Sequence, residues 1–148
     1  MNAIISYAVC HLSIVPVRVN HSDTSEIVTQ LIFGERLVII EEHLQWRKVR
    51  IKHDGYEGWI DHKQSKAITE DQYNKSNTTT LTNQTIAVKS ERGGQILVKG
   101  SLLNHLSDAT FELAGTQYSI ESSIKVDENS TIESVALEYL NAPYLWGG

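Results

Sequence analysis

The chain contains one cysteine, Cys10, two prolines and few aromatics, 7% of its 148 residues. A single cysteine excludes an internal disulfide framework, which fits a reducing compartment. No Lys/Arg run is longer than two residues, and the densest basic patch is Arg47-Lys48-Val49-Arg50. With a formal net charge of -5, this argues against a nucleic-acid partner, whose affinity comes mostly from a basic face, and against an anionic membrane surface. No stretch approaches the roughly 20 apolar residues of a membrane span. Met1–Val19 leans apolar but is interrupted by His11, Ser13 and Pro16 and lacks a basic front, so no signal peptide is expected. A cytoplasmic location follows; a cell-wall location would require a signal trimmed beforehand. His43, His53 and His62 lack the short paired spacing of a zinc site and no second cysteine helps them, so no metal or other cofactor is expected.

Hydrophobic residues make up 41% of the chain, enough for a packed core. Ala8, Cys10, Leu12 and Ile14 alternate with Val9, His11 and Ser13, the pattern of a half-buried strand, which Pro16 is expected to stop. Cys10 would then face the core with Ala8 and Leu12. His11, pointing to the opposite face, could not form a dyad with it. Leu37–Glu42 and Val49–Ile51 read as further strands. Asp54-Gly55 predicts a tight hairpin joining Trp46–Lys52 to Tyr56–Asp61. Short strands punctuated by turns, with few helix signals, suggest a small barrel over residues 1–68.

Residues 69–84 are rich in Asn, Thr, Ser and Lys and read as a polar linker or exposed edge. β-patterning returns over 85–128, in the short runs Ile86-Ala87-Val88, Ile96-Leu97-Val98, Thr110–Leu113 and Gln117–Ile120. Over 129–148, Ser130 and Glu133 have capping-box spacing, and Ile132, Val135, Ala136, Tyr139 and Leu140 follow at helical intervals up to Asn141. About ten helical residues are too few to stand alone, so this helix needs a surface to pack on.

Two stretches resemble a known family. Val17-Arg18 through Ser25-Glu26, Thr29-Gln30-Leu31, Gly34-Glu35, Trp46, Val49 and Asp54-Gly55-Tyr56-Glu57-Gly58-Trp59 resemble the bacterial SH3-like domain that precedes NlpC-type cysteine peptidase domains. Leu140-Asn141-Ala142-Pro143-Tyr144-Leu145-Trp146-Gly147-Gly148 looks like the lead-in to the catalytic motif of that family. The two lie at opposite ends of the chain in the family's order; Leu97–Ile120 resembles a second SH3-like module only loosely. The implied fold is mainly β: tandem SH3-like barrels, then one short helix from the start of a catalytic domain.

The resemblance also implies a function. Members cleave the γ-D-glutamyl–diamino-acid bond of peptidoglycan stem peptides with a cysteine thiolate, a histidine base and a polar orienting group. This chain stops before that machinery, so it is expected to have no peptidase activity; a reading frame that continues past Gly148 into a Cys-Ser-Gly-like run and a later histidine would mark it as the front of a peptidase, and a stop codon there would favour wall binding. In relatives whose SH3-like domain borders the catalytic cleft, a tyrosine at the position of Tyr56 helps bind the free N-terminus of the substrate. A nearby carboxylate would receive the ammonium group. Glu26 is the nearest candidate, and Asp23 is the other. Tyr144, with Trp146, would border the catalytic cleft, whereas Trp59 reads as core. The implied partners are stem peptides or muropeptides and the parent's own catalytic domain; an uncovered domain interface would favour self-association. The alternative is a stand-alone module that binds peptidoglycan or a peptide.

Overall fold

The computed structural model describes residues 4–75, 78–124 and 131–143. Seven strands form the first sheet: β1 (Ser6–Cys10), β2 (Ile14–Arg18), β3 (Ile27–Ile32), β4 (Arg36–His43), β5 (Trp46–Ile51), β6 (Glu57–Asp61) and β7 (Ser65–Ile68). Their spatial order is β3-β2-β6-β5-β4-β1-β7, with antiparallel pairing throughout. One cluster of buried side chains takes Leu31 from the β3 edge, Val15 and Val17 from β2, Ile60 from β6, and Ala8 and Cys10 from β1 near the far edge. Strands from opposite ends of the order can share one core only if the sheet coils round it, as in an SH3-like barrel.

The reading of Ala8–Ile14 as one half-buried strand needs two corrections. The strand ends at Cys10, the chain bends through Leu12-Ser13, and β2 starts at Ile14. Val9 is also buried, although it points away from Ala8 and Cys10, because it enters a second core. β1 is therefore covered on both faces. Pro16 does not end pairing either: it lies inside β2 opposite Gln30. β2 meets β6 only at Arg18–Trp59, so at Pro16 the side lacking an N–H has no strand to bond.

Beyond the first barrel, the polar segment carries structure. Thr69 caps a one-turn helix, α1 (Glu70–Asn74), through a capping box with Gln72. The Thr-x-x-Gln spacing was legible in the sequence and is the signal that the linker reading passed over. β8 (Thr78–Thr80) pairs with β11 (Leu102–Asn104). The four short apolar runs fall on β9 (Thr85–Ser90), β10 (Gly93–Val98), β12 (Thr110–Leu113) and β13 (Thr116–Ile120), ordered β10-β9-β13-β12. α2 (Ile132–Leu137) begins one residue later than the expected cap: Thr131 and Ser134 make the capping box, and Ser130 lies outside the described residues. After Leu137, i→i+3 turns continue through Leu140, and Asn141 follows at φ 70°. α2 exposes its apolar residues, Ile132 at 92%. It is tied to the second β unit through Glu138, whose carboxylate meets Lys99 Nζ at 2.8 Å and whose carbonyl accepts from Gln84 Nε2 at 3.1 Å.

The two β units are joined by a side chain rather than by the linker alone. Phe33, just past β3, is fully buried in the second core with Leu97, Leu103 and Leu113. Its ring stands edge-on to Phe111 at 5.8 Å and to Tyr118 at 5.3 Å. Its carbonyl accepts from Leu102 N at 2.8 Å. Gly34 follows at φ 86°, and a Cβ there would lie 2.1 Å from the Leu102 carbonyl oxygen, so only glycine fits. Polar bridges surround this plug. Gln95 Nε2 donates to the His11 carbonyl at 3.2 Å, and Lys66 Nζ donates to Thr116 Oγ1 at 2.8 Å.

Phe33→Ala should cost about 3–5 kcal/mol, the range for removing a buried aromatic ring. Urea unfolding should show the second unit, reported by the environment of Tyr118, melting first; an unchanged midpoint would exclude Phe33 as the joint. A pH dependence should follow from the same interface. Burial first, then Lys66 and Arg92, push the His11 imidazole below its usual range, and its Nδ1 is buried with no partner among the described residues. The folded state thus favours the neutral ring. Stability is full above about pH 6.5 and falls below it as the unfolded chain takes up the proton. Glu35, pushed up by burial, acts in the opposite sense in more acid solution. The clean reading is therefore the wild type against His11→Gln between about pH 7.5 and about pH 5.5, where the wild type should lose more stability.

Candidate functional site

The candidate tyrosine sits on the β5–β6 hairpin. Gly55, at φ 75°, allows the tight turn, Gly55 N donates to the Ile51 carbonyl at 2.9 Å, and Ile51 N donates to the Tyr56 carbonyl at 2.9 Å. Asp54 Oδ1 accepts from Tyr56 N at 2.9 Å, so the aspartate fixes the backbone on which the tyrosine is displayed. Tyr56 is 47% exposed, whereas Trp59, three residues on, is 8% exposed. The same Gly-Tyr-x-Gly-Trp element thus buries one aromatic and presents the other. Among the described residues the Tyr56 hydroxyl has no hydrogen-bond partner. Glu57 between them is held by Arg50 at 2.8 Å, with Lys48 at 3.9 Å.

Gly58 is the close-approach position. A Cβ there would lie 2.5 Å from Val17 Cγ1 and 2.8 Å from the Arg18 carbonyl oxygen. The missing side chain lets β6 lie against β2, where Trp59 stands opposite Arg18. Trp59 is covered by His21, edge-on at 5.1 Å, and His21 stacks on His43 at 4.4 Å. No sequence pattern signals this stack, since the two histidines come from the loop after β2 and the end of β4. His53 and His62 are exposed. Among the described residues no group of three or more His, Cys, Asp or Glu could hold a metal ion.

The loop before β3 carries the candidate carboxylates. Arg18 Nη1 donates to the Ser25 carbonyl at 2.6 Å, Asn20 N donates to Ser25 Oγ at 2.9 Å, and Val19 N donates to the Glu26 carbonyl at 3.0 Å. These bonds fix the backbone and leave the Glu26 and Asp23 side chains exposed, with no hydrogen bond or ion pair among the described residues. Tyr56 and Glu26 flank β2 from opposite sides. No contact joins them among the described residues, and β2 lies between the strands that follow them, β6 and β3. A ligand bridging them would lie over β2. Tyr144 and Trp146 fall outside the described residues. Cys10 is fully buried, its Sγ donates to the Leu12 carbonyl at 3.4 Å, and burial pushes its thiol up to about 12, so it stays protonated and is no nucleophile.

Residues 17–64, from β2 through the turn after β6, match the family model of the bacterial dipeptidyl-peptidase SH3 domain. Both Tyr56 and Glu26 lie inside that match. Among solved structures, the chain is similar to an NlpC/P60 family protein from Bacillus cereus ATCC 10987, with a TM-score of 0.62 and 15% sequence identity. The likeness covers 78% of this chain and 54% of that one, so the chain spans about half the length of that protein. At this identity it shows a shared fold. No curated protein matches the chain.

Gly58→Ala should destabilise the first barrel by about 1–3 kcal/mol, the usual cost of overpacking. The Trp59 emission should move to the red as the strand is pushed off β2. Wild-type stability and emission in this variant would mean that the close approach at Gly58 is dispensable.

Proposed function

We propose that the chain is the non-catalytic N-terminal region of a peptidoglycan stem-peptide cysteine endopeptidase, one that cuts γ-D-glutamyl–diamino-acid bonds. The SH3-like region closes one end of the parent's cleft and helps bind the free N-terminus of muropeptides. Tyr56 supplies an aromatic and hydroxyl contact, and Glu26 supplies the carboxylate for the ammonium group, a charge-assisted pair stronger than a neutral one. Closing one end admits short peptides with a free N-terminus and rejects the intact wall, which suits recycling of wall fragments in the cytoplasm. The chain itself performs no peptidase step.

The observation that carries this reading is the contrast within one hairpin: Trp59 is buried and Tyr56 is displayed, with a hydroxyl no described residue engages. The family match over residues 17–64 and the shared fold with an NlpC/P60 family protein support it. So does α2, which turns Ile132, Leu137 and Leu140 to solvent and suits a further layer of protein, such as the parent's catalytic domain. Left uncovered, that face would promote self-association.

The test is kinetic and uses the full-length parent. Tyr56→Ala should lower kcat/KM for a muropeptide with a free N-terminus by about tenfold or more, the effect of losing a contact worth ~1.4 kcal/mol. It should leave an N-acetylated substrate, already a poor one, unaffected, and the chain alone should turn over neither. Cleavage unchanged by the substitution would refute the assignment. Retention of the chain on insoluble peptidoglycan would instead favour the stand-alone binding module.

A further inference from the structure

Between the β5–β6 turn and the second β unit lies a cleft of about 590 Å³. Its volume is within the roughly 300–1,000 Å³ of small-molecule sites. Arg36, Lys52, His53 and Lys75 line it, with Ile32 and Leu102 forming an apolar wall. In a chain of net charge -5, this gathers three cations and an imidazole in one concave place.

None of the three cations is ion-paired with a carboxylate of the described residues. Their partners are neutral. Lys52 Nζ donates to the Tyr73 carbonyl at 2.5 Å and lies 4.5 Å from the centre of the Tyr73 ring. Arg36 Nη1 donates to the same carbonyl at 3.3 Å and to the Lys75 carbonyl, and its Nη2 donates to Asn104 Oδ1 at 3.1 Å. Two full positive charges thus converge on one carbonyl at the end of α1, which offers only a partial negative charge. Burial first, then the neighbouring Arg36, push the Lys52 ammonium below its usual range. The one carboxyl lining the cleft is Glu35, whose Oε2 accepts from Ile32 N at 2.8 Å and whose pKa burial raises, so three cations face a single carboxyl there.

We propose that this inter-barrel cleft binds a small oxyanion ligand, a carboxylate or a phosphate, with Lys52 and Arg36 as its principal partners. The ammonium and guanidinium are already gathered by neutral acceptors, so little ordering remains to be done when the anion arrives. A bond from either cation to a full negative charge is stronger than its bond to the neutral carbonyl it supplements. The apolar wall of Ile32 and Leu102 accommodates the short organic part of such a ligand. The site draws Lys52 and His53 from the turn that also carries Tyr56, but it uses neither the tyrosine nor Glu26 and does not depend on the function proposed for them.

Titration of the isotope-labelled chain with inorganic phosphate and with N-acetylglutamate, at constant ionic strength, tests this by amide shifts. Saturating shifts should centre on Ile32, Lys52, His53 and Leu102. Lys52→Gln should weaken binding by about tenfold or more, the worth of a hydrogen bond to a charged group. Lys89→Gln, at an exposed position of β9, should bind as the wild type does. Saturation by phosphate alone identifies a phosphate ligand, by N-acetylglutamate alone a carboxylate, and by both a general oxyanion site. Absence of saturation with either probe, or wild-type affinity in Lys52→Gln, would overturn the proposal.

Discussion

Phe33 belongs by sequence to the first barrel and by packing to the second. Its ring completes the aromatic group of Phe111 and Tyr118, which stack on each other at 5.0 Å. Its backbone carbonyl anchors β11 through Leu102. This arrangement requires a residue at position 34 that turns sharply and carries no side chain, and Gly34 meets both needs. The second β unit is small, and its core is made whole by Phe33 and Val9 from its neighbour. Small β units bury too little surface to be robust alone. Borrowing two side chains ties the stability of the second unit to the folding of the first and fixes how the two sit together.

That rigid joint creates the other features of the interface. β1 becomes a strand with two buried faces, Ala8 and Cys10 toward one core and Val9 toward the other. His11 is drawn into the joint, its Nδ1 buried with no partner among the described residues, and burial, Lys66 and Arg92 hold its imidazole below the usual range. Arg36 and Lys52 are brought against the end of α1, where they border a positively charged cleft. A flexible linker would have produced none of these, because each needs groups from separate segments held at bonding distance.

The candidate ligand-binding hairpin rests on a simpler device. Alternation along β6 places Trp59 under the His21–His43 stack and lets Gly58 press against β2, while the turn before it leaves Tyr56 in solvent. The candidate carboxylates are carried by a loop whose backbone carbonyls accept from Arg18 and Val19 and whose Ser25 hydroxyl accepts from Asn20 N, so the loop is held in place although the Glu26 and Asp23 side chains are exposed. Positioning of this kind, with free side chains on a fixed backbone, lowers the ordering cost of recognising a small ligand.

The sequence by itself determined what depends on near neighbours. Strand periodicity located β4, β5, β6 and the four strands of the second unit, and Asp54-Gly55 located the hairpin, because turn and strand preferences act over a few residues. The Gly-Tyr-x-Gly-Trp element singled out Tyr56 through the family resemblance alone. Tertiary structure decided the rest. Val9 and Phe33 enter a core about which their own segments carry no information, and Pro16 lies within a strand because β2 lacks a partner on one side there. The stack of His21 on His43 and the meeting of Arg36 with Lys52 join residues distant in the chain. Such contacts are set by how the sheets coil and dock, and no local pattern encodes them.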